Sequence, residues 1–188
     1  MTRTTLPRLG SPAVSALRLT QSPSVESAHK HLTACRRVTL GDLSVVFEDR
    51  QTVWFRVQEL ARCGRGGEHR RQLDWYEQLM PGGGRVTAAV WLNARGRRAD
   101  DLRDEVNASR LVLTSDAGHR VEGVYLSQRV TDRLIGLVRW VEFRFTAEDR
   151  EALHDPRIGW ELRLESDGRT LSVKIDEGVL ESLSADVG

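Results

Sequence analysis

The feature that most constrains this chain is a double change of hydrophobic period between Val38 and Leu92. Leu43, Val45 and Phe47 alternate with Ser44, Val46 and Glu48, the two-residue repeat of a strand. Leu40-Gly41-Asp42-Leu43 puts Gly first in a two-residue turn, as type II′ requires, so Val38 to Glu48 reads as a hairpin. From Thr52 the period becomes helical. Val53, Val57, Leu60 and Ala61 form one stripe, and Arg56, Glu59 and Arg62 the opposite, solvated one. Gly64, Gly66 and Gly67 stop that helix. A second helix is expected over Glu68 to Met80, with Leu73, Tyr76 and Met80 on one face, ended by Pro81 and three glycines. Val86, Ala88, Val90 and Leu92 then return to alternation. A strand–helix–helix–strand unit follows.

Most of the remainder reads as strands. Leu111 to Thr114 and Val121 to Leu126 flank an Asp116-Ala117-Gly118 turn, and Val138 to Phe145 is a long strand burying Val141, Phe143 and Phe145. Ile158, Trp160, Leu162 and Leu164 alternate with Glu161, Arg163 and Glu165, and Leu171, Val173 and Ile175 repeat the pattern after Asp167-Gly168. Short helices are expected at Val25 to Ala34, Asp100 to Val106, and around Glu151 behind a Thr146 cap. An apolar face opposite a charged one implies an antiparallel sheet wet on one side. The expected class is α+β: a mainly antiparallel sheet, a helix pair inserted between early strands, and helices segregated to one side. Residues 1–24 read as a disordered N-terminal tail and 25–185 as one domain.

Composition narrows the function classes. No apolar run approaches the roughly 18 to 20 residues of a transmembrane helix, so no membrane partner is expected. A net charge of +1 exerts no global pull on nucleic acid. Arg129, Arg133, Arg139 and Trp140 would make a basic aromatic patch, but Asp132 and Glu142 interleave with them and favour a solvated face. Two cysteines cannot build a disulfide framework, so a reducing, cytoplasmic setting fits best.

The candidate chemistry is thin. Glu151 and His154 share a helix face at E-x-x-H spacing, half of what a di-iron bundle needs, but the motif is single and lies between strands. His31 and Cys35 lie one helical turn apart and would supply two ligands; a tetrahedral site needs more, from Cys63 or His69. A metal ion is the cofactor these sets would admit. The glycine clusters lack the Lys-Ser/Thr of a phosphate loop, and no Ser sits in a nucleophile elbow. The richest constellation is Glu48, Asp49 and Arg50 leading into Arg56, Gln58 and Glu59. Its plain reading is a surface ion-pair ladder; the alternative is an edge that faces a partner or a small polar ligand.

Arg36-Arg37-Val38, Gly41 and the run from Val46 to Leu60 resemble the signature stretch of the bacterial domain-of-unknown-function family numbered 3501. Leu73 to Pro81, Arg85 to Leu92 and Val141 to Phe145 resemble its later elements, so the likeness spans about Arg36 to Ile158. Asp49, Arg56 and His154-Asp155-Pro156 depart from the Asn, Gln and Asp-His-Pro expected there. Members of the family are often encoded beside rubrerythrin-like di-iron proteins and iron–sulfur proteins. The resemblance thus implies an accessory, partner-binding role in a redox or metalloprotein system. The partner would be such a protein or a second copy of the chain, met through Arg37, Glu48, Asp49, Arg50, Arg56, Gln58, Glu59 and Tyr76. The competing expectation is a metal-assisted or carboxylate-dependent enzyme for a small polar substrate, using Glu48, Glu59 and His154. The lack of a self-sufficient catalytic set argues against it.

Overall fold

The computed structural model describes residues 33–63, 69–92, 109–126, 130–132 and 136–188. The strands are β1 (Arg37–Leu40), β2 (Leu43–Phe47), β3 (Arg85–Leu92), β4 (Arg110–Ser115), β5 (Arg120–Tyr125), β6 (Val130–Asp132), β7 (Gly136–Arg144), β8 (Trp160–Ser166) and β9 (Arg169–Lys174). The helices are α1 (Arg50–Cys63) and α2 (His69–Gln78) between β2 and β3, α3 (Ala147–His154) between β7 and β8, and α4 (Glu177–Val187) after β9. The expected tail over 1–24 and the helix at Asp100 to Val106 lie outside the described residues. So does nearly all of the helix expected at Val25 to Ala34.

Among the described residues all pairings are antiparallel, in the order β1-β2-β3-β7-β5-β4-β8-β9, with β6 pairing β7 alone. The sheet curls until β1 comes alongside β8 and β9, which makes a nearly closed barrel. A Cβ added to Gly41, in the β1–β2 turn, would lie 3.6 Å from Leu171 Cδ1 of β9. Strand twist drives such curling. Gly123 of β5 permits close approach: a Cβ there would meet Val141 Cγ1 at 2.5 Å and the Leu111 carbonyl at 2.8 Å.

This overturns the expected α+β arrangement. The helices are few and are not gathered on one side of a half-wet sheet. α1 and α2 cover the outer face of β2, β3 and β7, burying Val46, Ala89, Trp91, Val138 and Trp140 beneath Val53, Val57, Trp75, Tyr76 and Leu79. α3 and α4 join the other cluster, the barrel interior, where Ala152, Leu153, Val179, Leu183 and Val187 meet Phe47, Phe143, Trp160 and Leu162. The wall of β2, β3 and β7 is thus dry on both faces. Burying each of these large side chains contributes about 1.5–3 kcal/mol, which is why curling wins over leaving one face wet.

α4 had no counterpart in the sequence reading. Its Val179, Leu183 and Val187 recur every four residues and are all buried. Among the described residues no helix is long and apolar enough to cross a membrane.

Candidate functional site

β2 ends with Phe47 in the barrel interior, so the alternation turns Glu48 outward, beneath α1. The Glu48 N–H donates to the Thr87 carbonyl at 2.8 Å, which fixes its backbone on β3. Asp49 then starts α1. Its Oδ1 accepts from Thr52 N–H at 2.6 Å, while its own N–H donates to Thr52 Oγ1 at 2.8 Å, a reciprocal cap. Arg56 reaches back from α1 toward Glu48. Its Nε and Nη2 both donate to Glu48 Oε1, at 2.9 and 2.6 Å.

Both partners are buried: the side chains are 0% exposed for Glu48 and 2% for Arg56. The Arg56 guanidinium also lies 4.9 Å from the Trp140 ring centroid, over its face. Tyr76 of α2 meets the same ring edge-on at 6.5 Å. Thr87 Oγ1 donates to the Leu79 carbonyl at 2.6 Å and ties the end of α2 to β3. Among the described residues, three buried polar atoms in this layer have no hydrogen-bond partner: Glu48 Oε2, Trp75 Nε1 and Trp140 Nε1. An unmet buried acceptor or donor costs about 1–3 kcal/mol. The layer therefore offers one carboxylate acceptor and two indole donors to anything that enters.

The structure brings Glu48, Arg56 and Tyr76 together around Trp140, and in doing so corrects two expectations. Arg56 belongs to no solvated stripe, and Glu48 to no surface ladder; they form a buried pair. Asp49 is used in capping and in an ion pair with Arg36 at 3.4 Å. Arg50 is exposed and Gln58 half-buried on α1; Glu59 is in α1, but its side chain lies outside the described residues. Arg37 is exposed, with its guanidinium 5.3 Å from the Trp91 centroid. Glu151 and His154 are both exposed on α3, away from the layer under α1 and α2. Cys35 is an exposed free thiol, and His31 lies outside the described residues. Among the described residues no three His, Cys, Asp or Glu gather to hold a metal. Of the basic aromatic patch, Arg129 and Arg133 lie outside the described residues, and Arg139 and Trp140 point to opposite sides of β7.

Sequence reasoning missed two polar clusters. Arg36 is buried, donating from Nε to the Phe47 carbonyl at 2.8 Å and gripping Ser182 and Asp186 of α4. Burial pushes the Asp186 carboxyl up, against the pull of Arg36. At the same end of the barrel, His119 Nδ1 meets Asp149 Oδ1 at 3.0 Å. Asp149 Oδ2 accepts from the Thr146 N–H and hydroxyl, the cap of α3. Only the C-terminal spacing of Val179, Leu183 and Val187 signalled the first cluster; in the second, the Thr146 cap was legible, but no sequence pattern brought His119 to Asp149.

No curated protein matches the chain. A crystal structure of a protein of unknown function from Burkholderia pseudomallei superposes with a TM-score of 0.74 at 18% identity, covering 100% of this chain and 99% of that one. That likeness is one of fold. A DUF4426 family protein from Pseudomonas aeruginosa matches with a TM-score of 0.28 at 13% identity, covering 75% of this chain and 98% of that one, and carries no argument. The resemblance in the strand–helix–helix–strand unit is matched by a family model that takes in the C-terminal helix as well. Over residues 21–187 the chain matches "Protein of unknown function (DUF3501)", and it belongs to that family.

Proposed function

We propose that the chain is a binding protein for a small polar ligand, enclosed between the α1–α2 pair and the outer wall of the barrel. The carrying observation is the Glu48 carboxylate, which spends one oxygen on Arg56 and leaves the other buried without a donor. A buried ion pair stabilises a fold only when its remaining lone pairs are met. A ligand hydroxyl, amine or amide would meet Glu48 Oε2, and its acceptors would take the Trp75 and Trp140 N–H groups. Native mass spectrometry of the full chain, purified without a histidine tag, tests this. A small polar compound released from wild type and absent from Glu48→Gln is expected. Wild type that carries no compound, and whose Tm moves with none of a panel of alcohols, amines and amides, overturns the reading and leaves a structural ion pair.

A second reading is the accessory role in a redox or metalloprotein system. Trp54, 37% exposed on α1, supports it, since Arg50, Trp54 and Gln58 form one i, i+4 stripe facing away from the barrel. The partner would be a rubrerythrin-like or iron–sulfur protein. Trp54→Ala is expected to abolish its recovery in a pull-down from the native host and to raise peroxide sensitivity. A pull-down that recovers no redox protein, with peroxide sensitivity unchanged on deletion, sinks it.

A further inference from the structure

The alternation that turns Trp140 toward α1 turns its neighbour Arg139 into the barrel. Arg139 stands opposite Val90 of the interior cluster, whereas Trp140 stands opposite Ala89 of the outer layer. Residues directly opposite one another share a face of the sheet. Tyr125 of β5 stands opposite Val141, also interior, and packs against that cluster. Arg139 and Tyr125 are therefore diagonal neighbours inside the barrel, at the end remote from α3 and α4. The guanidinium carbon lies 5.4 Å from the Tyr125 ring centroid.

Neither polar group is met. Arg139 Nε and the Tyr125 hydroxyl are both buried without a hydrogen-bond partner. Among the described residues no carboxylate pairs with Arg139, in contrast to Arg36 with Asp186 and Arg56 with Glu48. The ring face of Tyr125 offsets part of the charge but accepts no N–H from Nε. Burial pushes the Tyr125 hydroxyl up to about 12 against the opposing Arg139 charge, so at neutral pH it is an O–H donor. Two donors and one positive charge, with no acceptor, stand at one end of an interior that continues as Val90 and Val141. Small closed sheets hold ligands in this position.

We propose that this end of the barrel binds the carboxylate of a small organic acid with an apolar body, its oxygens taken by the Arg139 guanidinium and the Tyr125 hydroxyl. The planar guanidinium fork matches a carboxylate, and a single positive charge balances a single negative one. The neighbouring Val90 and Val141 would favour an organic acid over an inorganic oxyanion. The site is separate from the layer under α1 and α2, and neither reading depends on the other.

Titration calorimetry of the full chain with sodium hexanoate, and in parallel with inorganic phosphate, tests the assignment. Hexanoate is expected to bind wild type, and Arg139→Gln to weaken it by about tenfold or more, the worth of a charge-assisted hydrogen bond. Arg139→Lys keeps the charge without the fork and should recover part of the affinity. Tyr125→Phe, which removes only the unpartnered hydroxyl, should weaken binding by a smaller factor and stands in where Arg139→Gln does not fold. Phosphate bound in preference to hexanoate overturns the organic-acid assignment. No hexanoate binding by wild type, or equal binding by wild type, Tyr125→Phe and the Arg139 variants, overturns the site.

Discussion

Two regions of this molecule hold charge with opposite deficits, one fully buried and one half-buried. Under α1 and α2, Glu48 and Arg56 neutralise each other and an acceptor oxygen is left over. On the inner face, half-buried Arg139 has an aromatic ring and, among the described residues, no carboxylate, so donors are left over. The two lie on either side of one strand, β7, whose Trp140 supports Arg56 on the outer face while Arg139 faces in. One strand thus serves two polar environments, one on each face. The first would select a ligand that donates, and the second a ligand that accepts.

The largest test of this contrast is Glu48→Ala, which strands the Arg56 charge in a dry layer. It is expected to cost about 3–5 kcal/mol, read as a lower urea midpoint; a loss below about 1 kcal/mol would show that the layer is wetter than its burial implies. Gly123→Ala comes next. Its new methyl would press on Val141, the residue opposite Tyr125, and on the Leu111 carbonyl. A loss of about 1–3 kcal/mol is expected, while wild-type stability would mean that the interior yields at that end.

Thr146→Ala should cost about 1 kcal/mol by thermal denaturation, and it has a pH signature. Burial pushes the Asp149 carboxyl up, but the hydrogen bonds from Thr146 and His119 outweigh burial and hold it below its usual range. The stability this supplies is fully present above the ordinary aspartate value of about 3.9 and is lost as pH falls through the lowered value. The acid limb of denaturation should flatten in Thr146→Ala; an unchanged limb would mean that the cap carries none of it. The smallest effect belongs to Arg139→Leu, expected to change stability by no more than about 1 kcal/mol, upward in anion-free buffer. A loss as large as that of Glu48→Ala would erase the difference between the two regions.

Much of the local structure was legible. The Gly41-Asp42 turn forms with Gly41 at φ +59, and the Asp116-Ala117-Gly118 and Asp167-Gly168 hairpins form where turn chemistry puts them. Thr146 caps α3. Those features depend on residues a few positions apart. In β8 the charged positions, Glu161, Arg163 and Glu165, are half-exposed, as alternation implies. In β2, β3 and β7 the same pattern misleads, because Ser44, Thr87 and Glu142 are polar yet buried. A polar residue at an alternate position signals a face, but not what covers that face. Glu48 was picked out as a candidate and Arg56 with it. Their pairing in the dry was hidden because Arg56 lies three residues from Glu59, a surface-ladder spacing, whereas eight residues from Glu48 to Arg56 signals no contact.

The sequence by itself determined the periods, the turns and the caps, since each is set by the backbone preferences of near neighbours. It also carried the family likeness. Only the tertiary structure decided that the sheet curls into a nearly closed barrel and that α4 closes on its interior. It likewise decided that β7 sends Trp140 and Arg139 into different environments. Closure depends on strands far apart in sequence meeting edge to edge, and burial of a charge depends on which distant elements cover it. No local pattern encodes either.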